Sequence, residues 1–179
     1  MSGVIETSAV HTADLDPGTT KAVRALLVEV FEGMPEQDLD HCMGGIHALA
    51  REGDDLIGHA SVVQRQLLHG GRVLRAGYVE AVAVRADHRR RGIGGLLMAE
   101  VERVIRGAYD LGALSAGEEG ALLYASRGWQ RWQGPTSALT TAGVERTRDD
   151  DGGIFVLPVE VPLDLAGEIT CDLRSGDAW

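Results

Sequence analysis

Val82-Ala83-Val84-Arg85-Ala86-Asp87-His88-Arg89-Arg90-Arg91-Gly92-Ile93-Gly94-Gly95 changes character in mid-course. A Val- and Ala-rich strand runs into a turn carrying four arginines, Arg85, Arg89, Arg90 and Arg91, and then into glycines. Behind the glycines, Ile93, Leu96, Leu97, Val101, Val104 and Ile105 recur at helical spacing, with Gly107 placed to close the helix. The first N–H groups of a helix lack intrahelical partners and carry partial positive charge. Glycines let a ligand reach that backbone, so the pattern suits phosphate. No Gly-Lys-Ser/Thr follows, which excludes a P-loop, and the third glycine of a dinucleotide fingerprint is missing. The plain alternative is a solvated basic turn whose glycines only reverse the chain.

Upstream, a first strand is expected from Val4 to His11, then a helix started by Asp14-Leu15-Asp16-Pro17 and ended by Pro35. A short helix follows from Asp38 to Met43. Ile46 to Arg51, Leu56 to Leu68 and Val73 to Val84 read as an antiparallel meander, its last turn supplied by Gly70-Gly71. Downstream come a strand from Leu111 to Ser115, a helix from Glu118 to Arg127 capped by Gly128, and a strand opened by Trp129. Ile154 to Val161 is a last strand in which Pro158 marks an edge or bulge. Ala142 to Gly153 reads as a polar loop, and the residues after Pro162 show no period. The order predicts one α+β domain over residues 1–179, a mixed and mostly antiparallel central sheet flanked by helices.

The 179 residues carry 17 Lys+Arg against 27 Asp+Glu, a net charge of −10, and 44% are hydrophobic. That composition supports one real core and argues against nucleic acid or an anionic membrane as partner, since both reward positive charge. It favours a cationic partner. The residues from Met1 to Glu6 show neither a basic lead nor an apolar core, so no secretory leader is expected, and no stretch has the length of a membrane span. Cys42 and Cys171 are expected as reduced, buried thiols of a cytoplasmic protein. The six histidines, His11, His41, His47, His59, His69 and His88, have no metal-ligand spacing, and no metal is expected.

Arg89-x-x-Gly92-x-Gly94 after Val82-Ala83-Val84 resembles the pyrophosphate loop of the Gcn5-related N-acetyltransferase superfamily. Tyr124-Ala125-Ser126-Arg127-Gly128-Trp129 resembles that superfamily's second motif. A narrower resemblance, to the aminoglycoside 2′-N-acetyltransferases, rests on Gly77 to Asp87, Arg106 to Ser115, Gly134-Pro135-Thr136-Ser137, Asp149 to Gly152, His11 to Leu15 and the run from Cys171 to Trp179. One departure stands: Gly33 to Asp38 is a residue short, and an acidic residue usual near Met34 is absent.

The resemblance implies an acetyl-CoA-dependent transferase and a homodimer. The coenzyme's pyrophosphate would lie on the backbone of Arg89, Arg90, Arg91, Gly92, Ile93, Gly94 and Gly95. Its pantetheine arm would pair with Val82, Ala83 and Val84 like an added strand. Direct transfer from thioester to amine needs a neutral amine, a stabilised oxyanion and a proton for the leaving thiolate. Glu80, beside the cofactor strand, can take the ammonium proton, alone or through water; otherwise it is a charged residue in a salt bridge. Tyr124 can protonate the leaving sulfur, or is a packed aromatic with a satisfied hydroxyl. The Val82 amide is the oxyanion candidate. Ser115 either helps bind the cofactor or caps a helix. Asp38, Asp150, Asp177 and Trp179, with Glu80, would border a site for a polycationic aminoglycoside, whereas Asp149 and Asp151 read as solubilising acids. The expected activity is acetylation of the aminoglycoside 2′-amine, conferring resistance. The rivals are transfer to another amine (a cell-wall amino sugar, polyamine or peptide) and a non-catalytic acyl-CoA-binding module.

Overall fold

The computed structural model describes residues 3–179; Met1 and Ser2, where the reading of an absent leader begins, lie outside the described residues. The elements in chain order are β1 (Ile5–His11), α1 (Pro17–Val30), α2 (Glu36–Asp40), β2 (Ile46–Glu52), β3 (Asp55–His69), β4 (Arg72–Val84) and α3 (Ile93–Ala108). They continue with β5 (Leu111–Ser115), α4 (Glu118–Ser126), β6 (Gln130–Arg131), β7 (Thr136–Thr140), β8 (Gly143–Arg146), β9 (Ile154–Pro158) and β10 (Ile169–Cys171). Short 3₁₀ turns precede α1 and α3 and follow β8. The β4–β5 and β7–β10 pairs are parallel, and the other pairs whose registers are resolved are antiparallel, which makes the α+β architecture a mixed, mostly antiparallel one. The chain falls into two compact units, Met1–Val63 with Val79–Val104, and Gln64–Tyr78 with Ile105–Trp179; β3, β4 and α3 supply residues to both. No helix among the described residues is long and apolar enough to cross a membrane.

In the first unit, Asp16 starts α1 by accepting the Thr19 backbone N–H at 2.9 Å and the Thr19 hydroxyl at 2.6 Å, while Pro17 fits the first turn. The helix ends at Val30, before the expected stop at Pro35, which instead caps α2. Val23, Leu26 and Leu27 of α1 pack with Leu39, Cys42, Leu49, Leu56 and Ala83 into a buried cluster. At Gly58 of β3 an added Cβ would sit 2.9 Å from Ile93 Cγ2 and 3.1 Å from Leu97 Cδ1 of α3. Glycine there lets the first turn of α3 seat on the strand. The helix runs one residue past Gly107, which therefore does not close it.

In the second unit, β5 pairs with β9 along its whole length and with β4 over Ala76–Tyr78 alone. Pro158 ends β9 beyond the reach of β6, which pairs only with Val156 and Phe155, so the missing N–H breaks no ladder there. The stretch expected as loop from Ala142 holds β8, which pairs with β7. The tail contributes β10, antiparallel to Leu67–His69 of β3 and parallel to β7. Buried Trp132 donates its indole N–H to Gly167 O at 3.0 Å and takes His69 edge-on at 4.9 Å.

Candidate functional site

The arginine turn is braced by its own charges. His88, buried, bonds to Asp87 at 2.6 Å through Nδ1 and to Glu52 at 2.9 Å through Nε2. Arg85 pairs with Asp87 at 2.8 Å and Arg91 with Glu52 at 3.0 Å. His88 and Arg91 beside Glu52 hold its carboxyl down to about 2, and Arg85 and His88 do the same to Asp87. Asp87 and Glu52 in turn push the imidazole of His88 above its ordinary value. The side chain of Arg91 thus fastens the turn to β2, and the phosphate contact expected of this residue is one of its backbone. Arg89 donates from Nε to Val84 O at 3.3 Å.

Within the turn, Arg90 (φ 60°) and Gly92 (φ 78°) are both left-handed, bracketing Arg91. Alternation of hand along a turn gathers successive N–H groups on its inner side, and α3 begins at the next residue, so its unpaired amides continue the same surface. An anion is what such a backbone binds. Here the glycine at 92 supplies a conformation, and Arg90 accepts the same conformation at some cost in strain.

Upstream, Ala81 is left-handed too (φ 51°), which costs a non-glycine residue roughly 1–2 kcal/mol and makes a one-residue break in the extended geometry of β4, although the strand runs on through Val84. Side chains from β3 hold this break: Ser61 donates to Glu80 O at 3.4 Å, and the buried His59 ring bonds to Ala81 O at 2.8 Å. Behind His59 stands His47, also buried, with Nδ1 2.9 Å from His59 Nε2. The residues expected to carry chemistry, Glu80 and residues 82–84, therefore lie on a strand segment whose direction is set by a local break. The Cys42 thiol is pushed up to about 12, by burial first and the Glu80 charge second, and donates to Leu39 O at 3.1 Å. A thiol so held is poorly suited to carrying an acetyl group. Asp38, from the helix that precedes Cys42, is half-buried, with His41 3.8 Å away.

In the second unit, Tyr124 of α4 is buried against Trp129 and Phe155, ring centroids 6.2 and 6.0 Å away, and burial raises its phenol pKa. It stays protonated at neutral pH, as a proton donor must. Gly128 (φ 87°) turns the chain after α4, and the Trp129 N–H returns to Tyr124 O at 3.1 Å. Ser115 ends β5 exposed; the cap of α4 is Gly117, so Ser115 does not cap it.

The acidic residues separate in role. Asp151 accepts from the Thr136 N–H and hydroxyl, each at 2.9 Å, and pairs with Arg146 at 2.8 Å, so it ties the turn after β8 to β7 rather than merely solubilising it. Asp150 is half-buried, and burial, followed by the charge of Asp177, raises its carboxyl above the usual range. Trp179 is 4% exposed and donates its indole N–H to Thr147 Oγ1 at 2.9 Å, while Asp150 N donates to Thr147 O at 3.0 Å. Thr147 thereby joins the tail to the segment that carries Asp150, and brings Asp150, Asp177 and Trp179 into one neighbourhood. The sequence did not single out Arg65, which holds this tail. Its buried guanidinium donates to Asp172 Oδ1 and Ala178 O, both at 2.8 Å, and to Asp172 O at 3.1 Å.

The model of the acetyltransferase (GNAT) domain family matches residues 14–132, which span the braced turn, the broken strand and the Tyr124 helix. The chain belongs to the GNAT acetyltransferase family. Among curated relatives, it is 52% identical over 183 residues to the aminoglycoside 2′-N-acetyltransferase of Mycolicibacterium fortuitum, covering 99% of this chain and 94% of that one. Among solved structures, ElaA of Escherichia coli matches with a TM-score of 0.62 at 20% identity, over 88% of this chain and 100% of that one. Eis1 of Mycobacterium abscessus matches with a TM-score of 0.61 at 21% identity, over 75% of this chain but 32% of that one. The two structures share the fold.

Proposed function

We propose that this chain, acting as one catalytic domain, transfers the acetyl group of acetyl-CoA to the 2′-amine of aminoglycosides and so confers resistance to them. The observation that carries the substrate is the 52% identity, sustained over 99% of the chain, to an aminoglycoside 2′-N-acetyltransferase. The coenzyme diphosphate lies on the amides of residues 89–95, with the Arg89 and Arg90 side chains adding charge. Residues 82–84 offer backbone groups to the pantetheine arm. Glu80 accepts the proton of the 2′-ammonium, directly or through water, and the neutral nitrogen attacks the thioester carbonyl. The Val82 N–H stabilises the tetrahedral oxyanion. As the new C–N bond holds and the C–S bond breaks, Tyr124 supplies the proton that the departing sulfur takes up. Asp38, Asp150 and Asp177, with the carboxylate of Trp179, attract and orient the polycation. The protein works in the cytoplasm as a homodimer, with a small cationic molecule as its partner and no nucleic acid or membrane.

The test is thiol release from acetyl-CoA with tobramycin or gentamicin against kanamycin A, whose 2′ position bears a hydroxyl, with the acetylated nitrogen assigned by NMR. Turnover of the first two and not of the third is expected. Equal turnover of all three defeats the 2′ assignment. A faster reaction with a polyamine, amino sugar or peptide replaces the substrate class, and stoichiometric acyl-CoA binding without thiol release defeats the enzyme.

A further inference from the structure

From the 3₁₀ turn after β1 to the break in β4 runs a line of hydrogen bonds, exposed at its Gly44 end and buried where the two histidines meet, that the reaction just described does not use. The Gly44 N–H donates to Thr12 Oγ1 at 2.9 Å; Thr12 Oγ1 is 2.7 Å from His47 Nε2; His47 Nδ1 is 2.9 Å from His59 Nε2; and His59 Nδ1 is 2.8 Å from Ala81 O. Both imidazoles are 0% exposed. Burial pushes both down to about 4, so each ring is neutral at physiological pH and carries one proton. The protons then have one arrangement. A carbonyl can only accept, so His59 holds its proton on Nδ1. Its Nε2 must therefore accept from His47 Nδ1–H, and His47 Nε2 accepts from the Thr12 hydroxyl at 2.7 Å, in preference to that hydroxyl's other acceptor, Gly45 O, which stands farther off at 3.2 Å. Every donor points the same way, towards Ala81.

The far end of the line matters because the Ala81 carbonyl and the Val82 N–H belong to one peptide group. No peptide bond among the described residues is cis, so the two point in opposite directions. A hydrogen bond that fixes where Ala81 O points also fixes where the Val82 N–H points. It further draws electron density towards the oxygen, which makes that N–H a stronger donor; head-to-tail bonds reinforce one another in this way. A left-handed alanine has no preference for its conformation, so something outside it must hold it. Ser61 at 3.4 Å from Glu80 O is a longer contact than His59 at 2.8 Å from Ala81 O.

We infer that Thr12, His47 and His59 form a directional relay of positioning residues that aims and polarises the Val82 amide as the oxyanion donor of acyl transfer. The inference rests on the reading of Val82 proposed above. The relay touches neither substrate, so its loss lowers kcat and leaves the KM values alone.

The experiment first establishes wild-type turnover of tobramycin, then compares His59→Leu with His59→Asn. His59→Leu is expected to lose about 10-fold or more in kcat, short of the full cost of deleting an oxyanion donor, with both KM values within about twofold. Asn places an amide N–H where the Nδ1–H stood, and so recovers most of the lost kcat. Thr12→Val, at the half-buried start of the line, loses roughly two- to threefold in kcat and serves if His59→Leu does not fold. Nitrogen NMR of isotope-labelled histidine in the wild-type protein at neutral pH should show both rings neutral, with the proton on Nδ1. Equal kcat in His59→Leu and wild type overturns the relay, as does an Asn variant no faster than Leu, an unchanged Thr12→Val, or either ring protonated on Nε2. Absence of wild-type turnover defeats the proposed function instead, and the nitrogen spectrum still decides the arrangement of the relay.

Discussion

Replacing Arg65 by Met removes a single buried cation that holds the tail. Its guanidinium is lost from three hydrogen bonds, two to Asp172 and one to Ala178 O, and from the face of Tyr78, whose centroid lies 4.8 Å away. Bonds to a charged group contribute about 1.5–3 kcal/mol each, and a desolvated cation–π contact up to about 2 kcal/mol. Against that gross sum stands the cost of keeping the cation out of water, several kcal/mol, which Met does not incur. Removing one partner of a buried pair nets about 3–5 kcal/mol. The low end applies, because the Asp172 side chain is 33% exposed and keeps the Gln66 N–H at 3.0 Å. Roughly 3 kcal/mol in a chain of this size lowers Tm by about 6–12 °C. What remains on Ala178 O is the Cys171 thiol at 3.2 Å, a weak donor, so the segment bearing Asp177 loosens. KM for tobramycin should then rise by about 10-fold, equivalent to roughly 1.4 kcal/mol of lost orientation, while KM for acetyl-CoA stays within about twofold. Differential scanning fluorimetry and steady-state kinetics on Arg65→Met, with Arg65→Lys falling between it and wild type, read both effects. A Tm within about 2 °C of wild type refutes the clamp, since it is less than the shift expected from 1 kcal/mol. A fall in Tm with equal rises in the two KM values refutes the tail's part in substrate binding.

Two further perturbations probe the first unit. Glu80→Gln keeps size and loses the base, so kcat should fall by about 10²–10³ at neutral pH, with acetyl-CoA affinity by calorimetry unchanged; a kcat near wild type removes Glu80 from the role of base. Glu52→Gln unbraces the arginine turn, and its effect is a function of pH. A carboxyl held at about 2 against an ordinary 4.5 stabilises the fold above 4.5 and loses that contribution as pH falls towards 2. His88, raised above 6.5, contributes fully below 6.5 and progressively less as pH climbs through its folded value. The Tm difference between wild type and Glu52→Gln should therefore peak between about pH 5 and 6.5, vanish in acid and shrink in part in alkali, where Arg91 remains. A difference that persists at the acid end contradicts the assignment.

The loop, the α3 helix and the meander were legible because each has a long signal: a change from strand to turn to helical spacing over residues 82–105. β8 and β10 had none. Gly143–Arg146 is exposed at every position, so it shows no alternation, and β10 is three residues whose partner on β3 lies about a hundred positions away in sequence. The two histidines hid behind a register. Counting back from the turn at residues 53–54, with Glu52 opposite Asp55 and Arg51 opposite Leu56, would set Ala48 opposite His59 and put His47 on the other face. An irregularity between Ala50 and Arg51 moves the pairing by one residue. Leu49 then faces His59, His47 faces Ser61, and both imidazoles share a side. Nothing in the composition of β2 announces that shift, and nothing about an alanine announces the left-handed break at residue 81. Both features that aim the proposed chemistry are irregularities in strands.

The charges also carry further than their sum. With a net of −10, a polyanionic coenzyme looks like a poor partner, and four arginines in one turn look like the remedy. Two of those arginines are committed: Arg85 to Asp87 and Arg91 to Glu52, with His88 bridging the two carboxylates. The turn's cations are spent largely on its own shape, and that shape, left-handed at Arg90 and Gly92, is what gathers the backbone N–H groups. Their attraction for phosphate falls off within the first turn of α3, so in the proposed binding mode it would act on the diphosphate once in place and contribute nothing to the field outside. Beyond about 8–10 Å salt screens exposed charges, but up to that distance the excess of carboxylates, Asp150 and Asp177 among them, sets a negative potential. One chain can thus bind a polyanion through short-range dipoles and draw in a polycation through longer-range charge, because the two interactions act over different distances.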